Sequence, residues 1–247
     1  MRLESDNWLA GLLGCDAFRL IPGSCPDDHG PLGVGFPTLA PGFYHVKVST
    51  TNIALVRELQ ARGFYVVDTN VTFEREPGNL GAPAPAGNVT IRKATVRDTG
   101  DVLAIAASCF VYTRFHLDPQ VSIETANAIK REWIANYANG KRGEELVLAE
   151  LDGRVAGFLA ILRGHAPAPG ERIIDLIGVA REFQGRGLGK AFVRHFVEAS
   201  QGRCGLVRVG TQVANIPSIR LYEQAGFRLA DSSYVLHAHV QREQDAE

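Results

Sequence analysis

A glycine-rich turn that joins a strand to an amphipathic helix constrains the fold of this chain more than any other feature. Residues 172–180 read RIIDLIGVA, which is typical of a buried strand, and the next seven read REFQGRG. A helix is predicted over 188–199, where Leu188, Phe192 and Phe196 recur four residues apart on one apolar face. The first backbone N–H groups of a helix have no partners within it, so with the helix dipole they form an anion-binding site.

The spacing Gln184-x-x-Gly187-x-Gly189 predicts a binding loop for a diphosphate. Glycines let the main chain turn tightly, and they let phosphate oxygens approach it without meeting a Cβ. A dinucleotide-binding turn has the spacing G-x-G-x-x-G, which this segment lacks. A Walker loop has Gly where Gln184 stands and Ser or Thr where Ala191 stands. A glycine-rich helix start without a ligand stays open as an alternative, although each Gly costs a helix about 1 kcal/mol relative to Ala.

The composition of the 247 residues is typical of one large or two small globular domains. The formal net charge is -1 and Lys and Arg form no run, which argues against nucleic acid and anionic membranes as partners. No apolar stretch has the roughly 18 residues of a membrane span. The four cysteines form no C-x-x-C pair and no metal-ligand spacing with the seven histidines. We therefore expect reduced thiols, a cytoplasmic location and no bound metal.

A segment rich in Pro, Gly and Ala divides the chain into two parts. Residues 77–88 read PGNLGAPAPAGN and are predicted to link a small, non-catalytic N-terminal α/β domain, 1–76, to a larger domain, 89–247. The larger part has hydrophobic patterns in the order β-α-α-β-β-β-α-β-α-β, with Asp152-Gly153 as the turn of an antiparallel hairpin. This order predicts an α/β (α+β layered) fold built on a mixed sheet.

The N-terminal part contains a faint copy of the end of the chain. Shifted along the sequence, residues 52–68 fall on 215–231 with more identities than the one or so expected by chance. The N-terminal part is therefore predicted to be a partial duplicate of the last β-α-β unit, with chance similarity as the alternative. It has no glycine-rich turn, and Leu59 stands where the other copy has Tyr222, so we expect no active site in it. The identical pairs are Asn52/Asn215, Ile53/Ile216, Arg57/Arg220, Gly63/Gly226, Phe64/Phe227 and Asp68/Asp231.

Two motifs together resemble the GNAT superfamily of N-acetyltransferases. One is the strand, the Q-x-x-G-x-G turn and the helix, and the other is 206–227, LVRVGTQVANIPSIRLYEQAGF. The resemblance implies a GNAT fold, with a mixed, mostly antiparallel central sheet flanked by helices, and a degenerate half-GNAT unit at the N-terminus. It also implies acetyl-CoA as co-substrate. Main-chain groups of Ile177, Gly178 and Val179 are implied to bind the pantetheine arm, and Gln184, Gly185, Arg186, Gly187, Leu188, Gly189 and Lys190 the pyrophosphate.

The same resemblance implies roles for individual side chains. Tyr222 in RLYEQAGF resembles the general-acid tyrosine, because a phenol with a pKa near ~10 can protonate a leaving thiolate. Asn215 resembles a cofactor-contacting Asn, and a helix N-cap is a compatible alternative. Asp175, in strand phase with Ile177 and Val179, is a candidate general base. A surface or salt-bridge role for this carboxylate, and water as the base, stay open.

A further resemblance indicates the acceptor. Segments such as SCFVYTRFHLDP and WIANYANG are similar to the TDP-fucosamine acetyltransferases, which acetylate the 4-amine of a nucleotide-linked 4-amino-4,6-dideoxyhexose. This implies a nucleotide sugar as substrate and a homodimer. Arg114 and His116, in the connection between the first two helices of the larger part, are candidates for binding its diphosphate, or are ordinary surface residues. A protein N-terminus, a lysine or a polyamine as acceptor, or a non-catalytic acetyl-CoA-binding role, are the alternatives.

Overall fold

The computed structural model describes residues 1–23, 36, 38–81, 89–164 and 170–241. None of the described helices is long and apolar enough to cross a lipid bilayer. The elements in chain order are β1 (Arg2–Ser5), α1 (Asn7–Leu13), β2 (Ala17–Ile21), β3 (Gly42–Ser49), α2 (Ile53–Gln60), β4 (Tyr65–Arg75), β5 (Val89–Lys93), α3 (Thr99–Ala106), α4 (Ile123–Ala138), β6 (Glu145–Leu151), β7 (Arg154–Arg163), β8 (Glu171–Val179), α5 (Leu188–Ala199), β9 (Leu206–Gln212), α6 (Ile216–Gln224) and β10 (Arg228–Val240), with 3-10 turns at Val96–Asp98 and Arg181–Phe183.

The chain forms two compact units that differ from the predicted division. Unit 1 consists of Met1–Asn70, Thr113–Thr125 and the chain from Ser232 onward, and unit 2 of Val71–Tyr112 and Ala126–Asp231. Strands β4 and β10 each run from one unit into the other. The units are discontinuous because β10, at the end of the chain, pairs with β3 in unit 1.

The predicted linker is described only in part. Residues 77–81 have no regular secondary structure, and 82–88 lie outside the described residues. The chain passes from unit 1 to unit 2 within β4, between Asn70 and Val71. The predicted linker therefore does not coincide with the boundary between the compact units.

Unit 1 is a sheet with the strand order β1-β2-β3-β10-β4. Strand β3 pairs with β2 in parallel and with β10 in antiparallel orientation. Helix α2 begins after Asn52, whose side-chain oxygen accepts a hydrogen bond from the backbone N–H of Leu55 at 3.1 Å. Val56 and Leu59 of α2 lie in the apolar core of this unit together with residues of the sheet and of the α2–β4 turn: Leu20, Tyr44, Val46, Val48, Phe64, Leu236 and Ala238.

Unit 2 is a mixed sheet with the strand order β4-β9-β8-β7-β6-β5. Strands β5 to β8 are paired antiparallel, and β8 pairs with β9 in parallel, which confirms the predicted mixed sheet. The hairpin between β6 and β7 turns at Asp152 and Gly153 with φ of 52° and 74°. Phe192 and Phe196 of α5 are fully buried in the core, where each contributes about 1.5–3 kcal/mol to stability.

Apolar residues at helical spacing over 95–110 predict a helix of that length, and α3 is shorter. It follows a 3-10 turn and ends at Ala106. The hydroxyl of Ser108 donates hydrogen bonds to the carbonyl groups of Ala104 and Ile105 at 3.0 and 3.3 Å. Because this hydroxyl competes for acceptors of the last helical turn, the chain leaves the helix although the apolar spacing continues.

Candidate active site

Strands β8 and β9 separate part of the way along β8. Their parallel pairing runs from Glu171–Leu206 to Ile174–Val209, and the five residues of β8 after Ile174 have no partner on β9. The neighbouring β7 shows a register shift at the same point, because Ile161 pairs with Ile174 while Ala160 pairs with Leu176. The extra residue on β8 is a β-bulge, which bends the strand. An edge of main-chain N–H and C=O groups is thereby opened toward the β9 side.

The opened edge contains the three residues predicted to bind the pantetheine arm. Ile177 and Val179 are half-buried, and Gly178 is buried. A Cβ on Gly178 would lie 2.7 Å from the Phe158 ring and 2.9 Å from Cys109 Sγ, so only glycine fits between β7 and the segment that follows α3. Burial raises the pKa of the Cys109 thiol to about 12, so this sulfur is a neutral packing group and is not a nucleophile at neutral pH.

The shape of the turn after β8 depends on the Gln184 side chain and on two glycines. Gln184 Nε2 donates a hydrogen bond to the carbonyl of Val179 at 3.1 Å, which ties the turn to the end of the strand. Gly185 and Gly187 have φ of 77° and 80°, which L-amino acids with a Cβ rarely adopt. Apart from the adjoining backbone, no heavy atom of the described residues lies within 4 Å of a Cβ built on either glycine. Their conformation requires glycine, and the space outside them is open to a ligand.

Helix α5 starts without a cap from the protein. Its N-cap is Gly187, which has no side chain to cap the first turn, and that turn contains no acidic residue. By contrast, the side chains of Asp6, Asn52 and Asn215 cap α1, α2 and α6. The free N–H groups and the positive end of the helix dipole therefore favour an anion at the start of α5. This is the arrangement that the glycine spacing predicted for a diphosphate.

The other predicted residues of the turn have different surroundings. The side chains of Arg186 and Lys190 are exposed, and the Arg186 guanidinium lies over the Phe183 ring at 5.6 Å. Leu188 is buried in the core, so only its main chain can face a ligand. A Cβ on Gly189 would lie 3.2 Å from Leu221 Cδ2, so this glycine lets α6 pack directly against the start of α5.

Tyr222 follows Leu221 on α6 and is buried. Its ring lies between Phe73 and Phe227, with centroid distances of 6.2 and 6.0 Å. Burial raises the pKa of its phenol, and a hydrogen bond with Ser218 opposes that shift. Tyr222 is therefore protonated at neutral pH, as a general acid must be.

Asp175 is the bulged residue of β8, and its carboxylate is fully engaged. It accepts hydrogen bonds from Trp133 Nε1 and Tyr137 Oη at 2.8 Å and from Arg142 Nε at 2.9 Å. The Arg142 guanidinium also lies over the Trp133 ring at 4.7 Å. These contacts favour the salt-bridge role that the sequence left open, and the base assignment stays a prediction. Sequence reasoning did not identify these three partners, because each lies more than 30 residues from Asp175 along the chain.

The three remaining predicted site residues make contacts within the protein. Arg114 belongs to unit 1, where it is half-buried over the Phe115 ring at 4.4 Å, and burial lowers the pKa of its guanidinium to about 10. His116 Nδ1 is 2.6 Å from Thr113 Oγ1. Asn215 Oδ1 accepts a hydrogen bond from the Ser218 N–H at 3.3 Å, which confirms the helix N-cap; its contact with a cofactor stays a prediction.

Known relatives are acetyltransferases or act in polysaccharide synthesis. The chain is 33% identical to the spore coat polysaccharide biosynthesis protein SpsD of Bacillus subtilis over 57% of this chain, but over only 47% of that protein. It is 29% identical to the 5-NmdU N-acetyltransferase of Pseudomonas phage PaMx11, covering 59% of this chain and 91% of that one. It is 24% identical to the dTDP-fucosamine acetyltransferase of Escherichia coli O6:H1, covering 77% and 79% of the two chains.

The fold and a family profile agree with these relatives. A GCN5-related N-acetyltransferase from Sphaerobacter thermophilus has the same fold, with a TM-score of 0.55 and 17% identity, covering 85% of this chain and 63% of that one. The profile of the acetyltransferase (GNAT) family matches residues 102–227, which include the opened edge of β8, the α5 turn and α6. The chain therefore belongs to the GNAT family, whose co-substrate is acetyl-CoA, and is an N-acetyltransferase.

Proposed function

We propose that this enzyme transfers the acetyl group of acetyl-CoA to the primary amine of a nucleotide-linked amino sugar of the 4-amino-4,6-dideoxyhexose type. The observation that carries the cofactor part is the uncapped start of α5 beside the opened edge of β8. The main-chain groups of Ile177 to Val179 bind the amides of the pantetheine arm, and the turn from Gln184 to Lys190 binds the two phosphates. Asn215 lies near the same cofactor at the start of α6.

The transfer is a direct attack of the amine on the thioester. The nitrogen forms a bond to the carbonyl carbon, the C–S bond breaks, and coenzyme A leaves as a thiolate. Tyr222 gives its proton to that sulfur, and its raised pKa keeps the phenol protonated until the thiolate develops. The amine loses its proton to water. Asp175 holds α4 through Trp133 and Tyr137, and the loop after α4 through Arg142, and so acts as a positioning residue.

The acceptor is proposed from the names of two relatives, a dTDP-fucosamine acetyltransferase and a protein of spore coat polysaccharide biosynthesis. Arg114 and His116 are the proposed contacts to the sugar diphosphate, since a guanidinium can bind phosphate oxygens in a bidentate way. The relative named for 5-NmdU supports a second candidate acceptor, that compound itself. A cytoplasmic location and a homodimer belong to the same proposal.

The deciding experiment is an acetylation screen with acetyl-CoA and release of free coenzyme A thiol as the readout. The acceptors are TDP- and UDP-linked 4-amino sugars, 5-NmdU, peptides with a free N-terminus or lysine, and polyamines. We expect the highest kcat/KM with a nucleotide-linked 4-amino sugar. Activity confined to peptides or polyamines would refute the sugar assignment and leave the cofactor site untouched.

Tyr222→Phe is the matched test of the chemistry. It removes one hydroxyl and keeps the ring that packs between Phe73 and Phe227. We expect kcat to fall by about 10²–10⁴-fold, the usual contribution of a general acid, while the Kd for acetyl-CoA stays within about twofold. An unchanged kcat would remove Tyr222 from the mechanism.

A further inference from the structure

Three metal-ligating side chains meet inside unit 1, and none of them is among the residues assigned to acetyl transfer. They are Asp118, from the connection between α3 and α4, and His237 and His239 of β10. One ligand atom from each lies within 4.8 Å of the others. Asp118 and His237 have no exposed side-chain surface, and His239 is 20% exposed. Two imidazoles and one carboxylate are a common donor set for a first-row divalent cation.

The carboxylate of Asp118 is oriented so that one oxygen faces both imidazoles. Its Oδ1 accepts hydrogen bonds from the Tyr65 hydroxyl at 2.7 Å and from the Gln120 N–H at 2.9 Å. Its Oδ2 lies 2.6 Å from His237 Nδ1 and 3.0 Å from His239 Nε2. Groups that hold the second oxygen of a ligating carboxylate in this way orient it toward a metal.

The strand geometry fixes the two imidazoles on one face. His237 and His239 are two residues apart, so their side chains project from the same side of β10. In the antiparallel register, His239 lies opposite Phe43 on β3. The Phe43 ring meets His237 and His239 edge-on at 4.7 and 5.0 Å. An apolar wall of this kind limits the access of water and favours a low coordination number.

We propose that Asp118, His237 and His239 bind one divalent cation, with Zn²⁺ as the best fit to this donor set. Each of the two N···O contacts joins atoms that both carry lone pairs, so a proton or a cation must lie between them. A single ion bound by Asp118 Oδ2, His237 Nδ1 and His239 Nε2 serves both contacts. Zn²⁺ ligands at 2.0–2.2 Å lie about 3.3 Å apart in a tetrahedral site, so the 2.6 Å contact opens by less than an ångström on binding.

A hydrogen-bonded cluster without an ion is the competing explanation. In that case each imidazole donates its own proton to Oδ2. The buried His237 Nε2 has no hydrogen-bond partner among the described residues, so no second contact fixes the proton on either nitrogen of this ring. The ring can therefore present Nδ1 as a ligand without breaking another hydrogen bond. The charged or titratable groups that also act on His237 are Arg114 and His45.

The test uses the full chain, purified without a polyhistidine tag and stripped with a chelator. Zn²⁺ is titrated by calorimetry, and Co²⁺ is added as a spectroscopic probe. We expect one equivalent of Zn²⁺ with a Kd below about 1 μM, a rise in Tm, and visible d–d bands of tetrahedral Co²⁺. Neither readout depends on acetyltransferase activity, so the result is independent of the proposed function.

Two variants and one control assign the site. His239→Gln, at the most exposed ligand, should weaken Zn²⁺ binding by at least about 100-fold, and Tyr65→Phe, which removes one of the two hydrogen bonds to Oδ1, by about 10–100-fold. His195→Gln, on α5 in unit 2, should bind as the unsubstituted protein does. Less than one equivalent bound at 100 μM Zn²⁺, or equal affinity in His239→Gln and the unsubstituted protein, overturns the proposal and leaves the hydrogen-bonded cluster.

Discussion

The position of Asp175 favours a role as general base, whereas its contacts favour a structural role. It lies on the strand that forms the opened edge, where a base for the amine would be useful. However, its side chain is only 13% exposed and is held by an indole N–H, a phenol and a guanidinium. Its Oδ2 already accepts three hydrogen bonds, so a proton from the amine could be taken up there only by displacing one of these donors. The partial burial also makes these contacts worth more than a surface ion pair.

We predict that Asp175→Asn lowers stability more than it lowers catalysis. Asn cannot form the ion pair with Arg142, so the free energy of unfolding should fall by about 1.5–3 kcal/mol, measured by urea denaturation. The kcat/KM for the acceptor should stay within about tenfold, with an unchanged pH profile. The control is Glu182→Gln, whose carboxylate is 58% exposed and pairs with Arg154, and which should change stability by less than about 0.5 kcal/mol.

The pH profile separates the two roles of Asp175. If it is the base, Asp175→Asn should lose about 10²–10⁴-fold in kcat/KM together with the acidic limb of the profile. That outcome would support Asp175 as the general base, the role predicted from its strand phase with Ile177 and Val179. The sequence did identify the residue but could not show its partners, since Trp133, Tyr137 and Arg142 reach it only through tertiary packing of α4 and the loop after it.

Among the helices and strands, the sequence predicts most accurately those whose bounds are set by residues within the element itself or in its adjoining turn. The bounds of α5 follow from its apolar face and its glycine start, and the β6–β7 hairpin follows from Asp152-Gly153. The bulge in β8 and the end of its pairing with β9 depend on two neighbouring strands at once, so no local pattern predicts them. The His237-x-His239 spacing on β10 was a local signal, but it becomes a metal-ligand pattern only with Asp118, which is remote in sequence.

We predict that Gly187→Ala impairs the cofactor site beyond its cost in stability. Gly187 has a φ of 80° with open space around its Cβ position, and it begins α5. Ala should lose about 1–2 kcal/mol of stability from the left-handed conformation. It should also weaken acetyl-CoA binding by at least tenfold in calorimetry, because the methyl group and the altered backbone displace the diphosphate from the N–H groups.

Gly202→Ala is the matched control for backbone strain. Gly202 has a φ of 72° and equally open surroundings, and it lies in the turn after α5, at the opposite end of the helix. Its stability loss should match that of Gly187→Ala while the Kd for acetyl-CoA is unchanged. Equal affinities of the two variants would contradict the binding of phosphate at the start of α5.

At the scale of the whole molecule, the chain is less modular than its composition indicates. Proline-rich linkers commonly mark domain boundaries, and this expectation set the division at 77–88. The compact units instead combine the first 70 residues with 113–125 and the end of the chain. The reason is the long β10, which pairs with β3 over eight residues, from Ser233–Ser49 to Val240–Gly42.

We predict that the predicted domain 89–247 does not fold stably when expressed alone. Without the first part, β10 loses its partner β3 and exposes Leu236 and Ala238, which are buried against Val46 and Val48 in the intact chain. We expect a low soluble yield and no cooperative thermal unfolding in calorimetry, since an unpaired apolar strand edge promotes aggregation. The fragment 89–247 also lacks β4, the strand that lies beside β9 in the sheet of unit 2.

Coexpression separates this explanation from a general intolerance of chain cleavage. A fragment 1–81 supplies β3 and β4 again, and it ends within residues 77–81, which have no regular secondary structure. We expect the two fragments to copurify and to unfold in one transition whose Tm rises with fragment concentration, because the pairing of β3 with β10 is then intermolecular. Soluble, cooperative unfolding of 89–247 alone, at the Tm of the intact chain, would show that β10 needs no partner and that the linker divides independent domains after all.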